Sequence, residues 1–379
     1  MTTFAFAGAS IFDGRTLHDE RALLVTDGKP AGIVPLKDIP RCATVRDLDG
    51  GTVVPGFVDL QVNGGGGVLF NDETSVDGLK VISAAHRSLG TEVILPTLIT
   101  DTPERTEAAV KAAINAVEAG VPGIAGLHLE GPHLSPLRSG AHDPQLMRPM
   151  ESRDEDMLVL AAGQLPNLMV TVAPESVRPE QIARLSRAGV VVSLGHTNCS
   201  HSDALAAFSA GARCVTHLYN AMSQLESRAP GLVGAALTAP GIAAGIIADG
   251  IHVEPTSIQV AIRARMGHRG MFLVTDAMAT AGSDIREFRL NNRRVVRSAN
   301  RLTLEDGTLA GADLDLPTAI GVMVKDVGLD LEAALRMATL EPASLLKPRT
   351  FPLPIKPGRP VSLMHLSSGF RSTRLASGD

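Results

Sequence analysis

Three residues have the types and settings to hold a metal ion between them: Glu130, His196 and His217. Glu130 closes the apolar run GIAGLHLE and is followed at once by the turn pair Gly131-Pro132. His196 ends VVSLGH, and His217 ends RCVTH. A carboxylate at the end of a buried strand is costly unless a partner compensates its lost hydration. One carboxylate and two imidazoles are a common catalytic zinc set that leaves a fourth position for water. The same set could hold iron(II). Asp276, in MFLVTDAM, stands at another strand end. An activated water needs a base and a departing amine needs an acid, and one carboxylate beside the metal can serve as both. Taken singly, each residue reads as a paired polar group at a turn; it is their recurrence at strand ends that favours the metal.

Further candidates surround this set. His128, two residues before Glu130, shares its side of the strand and reads as core or support. His133 lies past the turn and is expected at the surface. His142, in a loop after Gly140-Ala141, is the candidate contact to a substrate carbonyl. Asn220 and Ala221 follow His217, Arg228 lies in the next polar loop, and His252 follows Ala248-Asp249-Gly250. Arginine and histidine are natural partners for a phosphate. Asp249 would repel one, so it is expected to hold His252 or the backbone. His86, His201, His268 and His365 lack a strand-end setting and are read as structural.

Positioning these groups falls to eight apolar runs, beginning at about Val53, Glu92, Ile124, Leu168, Val190, Cys214, Ala243 and Met271. Helical stretches at 75–89, 103–119, 151–164, 179–188 and 201–210 alternate with them, and the link between the sixth and seventh runs looks less helical. The pattern predicts a (β/α)8 TIM-like barrel, whose strand ends share one mouth. An open doubly wound sheet is the alternative, but no Gly-x-Gly-x-x-Gly follows an early strand. The Gly64–Gly67 cluster reads as a tight loop at the mouth. Residues 284–312 read as a β-hairpin excursion turning at Asn291-Asn292 and Asp306-Gly307, and 330–346 as the helix that closes the ring. Residues 1–52 are short β-like pieces with Asp-Gly and Gly-Gly turns, and the stretch PLPIKPGRPVSLMHLSS returns to that style as strand, Pro-Gly turn and strand. Both ends are expected to pair into one small β unit, 1–52 with 350–379, around a barrel of 53–349.

Composition narrows the function. The chain has 379 residues, 44% hydrophobic and 20% charged, with no Trp and one Tyr. Its net charge of -5, with no basic block, argues against nucleic acid as partner. No stretch has the length and apolarity of a membrane span, and the start lacks a signal-peptide pattern. The three cysteines form no metal-binding spacing or disulfide framework, and Cys214 reads as a small buried hydrophobe. A cytoplasmic enzyme acting on a small molecule is expected.

The motifs PGFVDLQVNGGGG, HLEGPHLSPLRSGAH, SLGHTN, THLYNAMS, RAPGLVGAAL, GIIADGIHV, LVTDAMATAG and GTLAGADL, in this order, resemble the N-acetylglucosamine-6-phosphate deacetylases of the amidohydrolase superfamily. The resemblance implies hydrolysis of the acetamide of N-acetylglucosamine 6-phosphate, with Glu130, His196 and His217 as metal ligands and Asp276 as acid and base. His142 would contact the acetamide carbonyl. Asn220, Ala221, Arg228 and His252 would bind the sugar phosphate, and Leu309 and Ala310 would line the mouth. It also implies that the β unit of both chain ends is a small β-sandwich domain beside the (β/α)8 barrel, and a homodimer in which Arg228 reaches the neighbouring site. Many amidohydrolases carry His-x-His at the end of strand one, where this chain reads Gln61-Val62-Asn63. One divalent metal ion per subunit is therefore expected, zinc or else iron(II). The segments MATAGS and GADL also depart from relatives, which bears on the choice of sugar. Alternatives are another N-acetylhexosamine phosphate such as the galactosamine epimer, another amide, or a sugar-phosphate sensor without catalysis.

Overall fold

The run from Val53 to Val62 is not one strand. It divides at Gly56, where the chain passes from one sheet into another. Thr52–Pro55 pairs antiparallel with Leu363–Leu366 and parallel with Ser10–Phe12. Beyond Gly56 the backbone enters the barrel, with the Phe57 amide donating to the Gly90 carbonyl at 3.0 Å. The computed structural model describes residues 2–265, 270–347 and 354–375.

Eight parallel strands make the central sheet: β1 Phe57–Val62, β2 Thr91–Ile99, β3 Leu127–Glu130, β4 Leu168–Val172, β5 Val191–Leu194, β6 Cys214–Val215, β7 Ala243–Ile246 and β8 Met271–Leu273. Each pairs with the next in sequence order. Their side chains are buried throughout, as parallel strands covered by helices require. This is the expected (β/α)8 barrel.

The surrounding helices are α1 Val76–Ser88, α2 Pro103–Glu118, α3 Ser152–Gln164, α4 Pro179–Arg187, α5 His201–Ala210, α6 Gly231–Thr238, α7 Pro255–Ala264 and α8 Leu316–Lys325. The Ser75 and Thr102 side chains accept the amides of Gly78 and Arg105, so α1 and α2 start where their caps stand. Gly211 ends α5 in the left-handed region, φ 119°. The link between β6 and β7 does contain a helix, α6, which is apolar on every side because seven of its residues are buried. The ring-closing stretch differs from expectation in being broken: 330–346 divides into Leu331–Met337, packed against β8, and Leu340–Ala343, packed against β8 and β1.

The excursion after β8 is a four-stranded antiparallel meander: Glu287–Leu290, Arg293–Ser298, Arg301–Leu304 and Leu309–Ala312. Asn291 and Asn292 both adopt positive φ at its first turn, as that pair favours. An unanticipated turn falls at Ala299-Asn300, also at positive φ. Its apolar face packs with Leu69, Ile99 and Met278 on the barrel rim. Gly64–Gly65 pairs with Val68–Leu69 in a tight hairpin; a Cβ on Gly64 would lie 2.4 Å from the Val68 carbonyl oxygen.

The ends of the chain build two further sheets. One holds Lys29–Pro35, Arg21–Thr26, Thr3–Ala7 and Thr44–Asp47 in that order. The other holds Ser372–Arg374, Leu363–Leu366, Thr52–Pro55, Ser10–Phe12 and Leu17–His18. Of the strand expected before Pro357-Gly358, residues 352–353 lie outside the described residues and Pro354 and Ile355 are not in a strand. The partner of Leu363–Leu366 comes instead from downstream, Ser372–Arg374.

Candidate active site

Glu130 is the last residue of β3, and His196 and His217 stand two residues beyond β5 and β6. Asp276 stands three beyond β8. His196, His217 and Asp276 all hold positive φ, at 47°, 29° and 51°. Such non-glycine conformations cost about 1–3 kcal/mol each and collect where side chains must be aimed. Neighbouring backbone holds them: Ser135 N donates to His196 O at 2.9 Å, and Ala312 N to Asp276 O at 2.9 Å.

These turns bring the three donor atoms together. His217 Nε2 is 3.0 Å from Glu130 Oε1 and 3.0 Å from His196 Nε2, and His196 Nε2 is 3.2 Å from Glu130 Oε1. Zinc bonds of about 2.0–2.2 Å in a tetrahedron set ligand atoms roughly 3.3–3.6 Å apart, so this triangle is close to one tetrahedral face. His196 Nδ1 lies 2.8 Å from the Arg138 carbonyl. A carbonyl only accepts, so Nδ1 carries the proton and Nε2 presents a lone pair inward. The donor set fits a divalent cation.

His142 is a second neighbour, with Glu130, His142 and His196 all offering ligand atoms within 4.8 Å of one another. Its tautomer argues for a different role. His142 Nδ1 accepts the Thr100 amide at 3.3 Å and lies 2.8 Å from Thr100 Oγ1. The proton is therefore on Nε2, 4.0 Å from Glu130 Oε2, and His142 offers the cavity an N–H donor. Burial, then the neighbouring His196, keeps its pKa well below the ordinary imidazole value.

The two carboxylates are driven apart. Burial raises the Glu130 pKa, but the His196 and His217 imidazoles beside it outweigh that and hold the group well below the usual range. Burial, then the charge of Glu130, pushes Asp276 up to about 6. Gln61 Nε2 bridges them, at 3.2 Å from Glu130 Oε2 and 3.2 Å from Asp276 Oδ1. Asn63 Nδ2 donates to the same Asp276 oxygen at 2.7 Å. The ends of strand one thus supply amide donors to carboxylates where a His-x-His would supply ligands.

A cavity of about 230 Å³ opens over this set, with Asn220, Ala221, His252 and Leu309 on its wall. Asn63 Oδ1 and Asn220 Nδ2 are buried with no hydrogen-bond partner among the described residues. Asp249 holds His252, through Nδ1 at 2.7 Å and the backbone amide at 2.7 Å. Two residues stand apart from this chain's cavity. Ala310 is buried in the apolar cluster under the meander, and Arg228 is exposed. His133 is a correction: it is 3% exposed, packed beneath the turn with Nδ1 3.1 Å from the Arg148 carbonyl. The segment after Gly131-Pro132 folds back against α3, so it does not leave for solvent. His128 is buried support, bonded to Leu60 O and Thr171 Oγ1. Cys214 is buried and unpaired, and His268 lies outside the described residues. Ile247, Met278 and Thr308 also line the cavity, and Thr100, just past β2, holds His142; none carries a charge or a metal-binding group that would single it out in the sequence. No helix among the described residues is long and apolar enough to cross a membrane.

A family model for the Amidohydrolase family matches residues 52–349, and the chain belongs to that family. It is 42% identical over 345 residues to an N-acetylgalactosamine-6-phosphate deacetylase of Shewanella sp. (strain ANA-3), covering 90% of this chain and 86% of that one. It is 33% identical over 343 residues to the N-acetylglucosamine-6-phosphate deacetylase of Haemophilus influenzae, covering 90% and 89%. The crystal structure of N-acetylglucosamine-6-phosphate deacetylase from Pasteurella multocida superposes with a TM-score of 0.92 at 32% identity, covering 99% of this chain and 98% of that one.

Proposed function

We propose that the protein hydrolyses the acetamide of N-acetyl-D-glucosamine 6-phosphate, yielding D-glucosamine 6-phosphate and acetate. The observation that carries this reading is the triangle of Glu130, His196 and His217 donor atoms, with edges of 3.0–3.2 Å, beside Asp276. Relatives bearing this activity in their names support it. Glu130, His196 and His217 would hold one divalent metal ion per subunit, zinc or else iron(II). When bound, the ion polarises the carbonyl and lowers the pKa of water.

The remaining work falls to the chain. Asp276 accepts the proton of the attacking water and returns it to the leaving nitrogen. Gln61 and Asn63 both grip Oδ1, which leaves Oδ2 for that proton. His142 donates its Nε2–H to the carbonyl oxygen as negative charge grows there. Asn220, Ala221 and His252 bind the sugar phosphate and Leu309 lines the mouth beside the sugar, with Ala310 packed behind it; the phosphate's distance from the reacting carbon makes its binding energy a means of orientation. Exposed Arg228 completes the phosphate site of a second subunit in a homodimer. We assign catalysis to residues 53–349 and read 1–52 with 350–379 as the β-sandwich. A cytoplasmic location suits a phosphorylated sugar substrate.

The galactosamine epimer is the second reading, favoured by the 42% identity to the Shewanella protein. The two sugars differ only in the configuration at C4. Acetate release by metal-loaded protein from both 6-phosphates decides between them. Release from neither would end the deacetylase reading, and release confined to the galactosamine sugar would replace the first substrate by the second.

A further inference from the structure

Seven junctions around the barrel are ladders running in sequence order from β1 to β8. The eighth, between β8 and β1, is different. Among the described residues no ladder joins these two strands, and they meet only at their upper ends in one isolated parallel bridge, Val62 to Ala277, where Asp276 N donates to Gln61 O at 3.1 Å and Asn63 N to Ala277 O at 2.8 Å. Low on this seam the Val58 amide turns away to the Ala338 carbonyl at 2.9 Å. Higher up, two amides are satisfied by a side chain in place of backbone. Gln61 N donates to Asp59 Oδ1 at 3.1 Å, and Thr275 N donates to Asp59 Oδ2 at 3.1 Å. The Thr275 hydroxyl donates to the same Oδ2 at 2.5 Å and accepts from Ala277 N at 3.2 Å.

Asp59 is 0% exposed and Thr275 1%. Neither lines the cavity, and the proposed reaction uses neither. A buried carboxylate needs a reason to be there. Three donors converge on this point, and the two oxygens of a carboxyl group have lone pairs enough to satisfy all of them. An asparagine would present an N–H₂ to one of those donors. The residues so held matter. Gln61 reaches Glu130 and Asp276, and Thr275 immediately precedes Asp276, whose φ of 51° must be enforced by its surroundings.

We infer that Asp59 is a positioning residue: its carboxylate stands in for the missing ladder between β8 and β1 and so fixes Gln61 and Thr275, the two residues that aim Asp276. The inference rests on Asp276 acting as acid and base in the proposed reaction. Asp59 touches no reacting atom, and its effect passes through its two neighbours.

The test compares Asp59→Asn, Thr275→Val and Thr275→Ser with the native protein, all zinc-loaded. Metal content, kcat and KM for acetate release, and amide hydrogen exchange are measured. Supporting residues around metal sites commonly contribute about 10–100-fold to activity. Asp59→Asn and Thr275→Val are expected to lower kcat by about that factor. KM should stay within about threefold, since the phosphate contacts lie elsewhere. Each subunit should keep its metal. Exchange should rise at 57–63 and 271–277 and not at β3 to β6. Thr275→Ser, which keeps the hydroxyl, should recover most of kcat. An unchanged kcat per metal-loaded subunit would overturn the inference. So would metal loss in parallel with activity, or faster exchange throughout the barrel, since both indicate a merely structural role. If Asp59→Asn fails to fold, the two Thr275 variants decide alone. If the native protein releases no acetate from either hexosamine phosphate, the functional reading fails and exchange still judges the seam: localised change supports it, and no change overturns it.

Discussion

The two flanks of the barrel mouth are built by different means. On one flank Glu130, His196 and His217 follow β3, β5 and β6, strands locked side by side by backbone ladders. Their imidazoles and carboxylate converge because the ladders fix where each strand stops. On the other flank Asp276 and Gln61 meet at a junction where a short backbone bridge replaces the ladder and side-chain bonds do the rest. A ladder specifies position through backbone that every residue type shares. A side-chain seam specifies it through particular residues, so single substitutions should act more selectively there. The ladder flank should govern whether the metal is held, and the seam flank how fast the held metal is used.

The largest effects should come from the ladder flank. Glu130→Gln or His217→Ala should lower metal content, read by elemental analysis, from one ion per subunit to near zero and abolish acetate release. Chelation of the native protein should do the same, with zinc restoring activity. Full activity without metal would remove the basis of the comparison. Next, Asp276→Asn should keep the ion and lower kcat by about 10²–10⁴, the usual weight of a general acid and base. Loss of the metal in that variant would mean the flanks are not separable. A smaller change is expected at Arg228, outside this chain's own cavity. Arg228→Ala should raise KM about tenfold or more, as loss of a charge-assisted contact implies, with kcat little altered. Mixing Arg228→Ala with an Asp276→Asn subunit tests sharing: a native Arg228 donated across the dimer would give recovered affinity in the heterodimer.

The smallest effect concerns pH. Burial pushes the Asp59 carboxyl up from 3.8 to about 7 against the hydrogen bonds of Thr275 and Gln61. A raised folded-state pKa favours folding below the unfolded value and loses that contribution as pH rises through the folded value. In metal-free protein the stability of the native chain relative to Asp59→Asn should therefore fall between about pH 4 and pH 7. Melting curves of the two proteins across that range read it directly. A gap that widens with pH would contradict the sign.

What could be read from the sequence follows the same division. Glu130, His196 and His217 announce themselves because each ends an apolar run, and a polar group in that place has few inexpensive explanations. The barrel is legible for the same reason, since eight buried strands leave eight apolar runs. The seam is not. Asp59 lies in the middle of a strand and meets Thr275, 216 residues away, only once the barrel has closed. No local pattern marks such a pair. His133 misleads because a turn usually leads outward, whereas here the chain folds back onto α3. Gly56 hides the change of sheet within a continuous apolar run, and the division between Leu331–Met337 and Leu340–Ala343 interrupts a periodicity that looks like one helix.

The strand Thr52–Pro55 has a consequence for biosynthesis. It leads directly into the first barrel strand, yet one of its edges is completed by Leu363–Leu366, near the other end of the chain. On the ribosome that edge must wait, unpaired, while the whole barrel is translated. A strand made before any stave of the barrel is therefore fully secured only after the last of them. A message truncated before codon 363 would leave one edge of that strand open, in the sheet just ahead of the barrel.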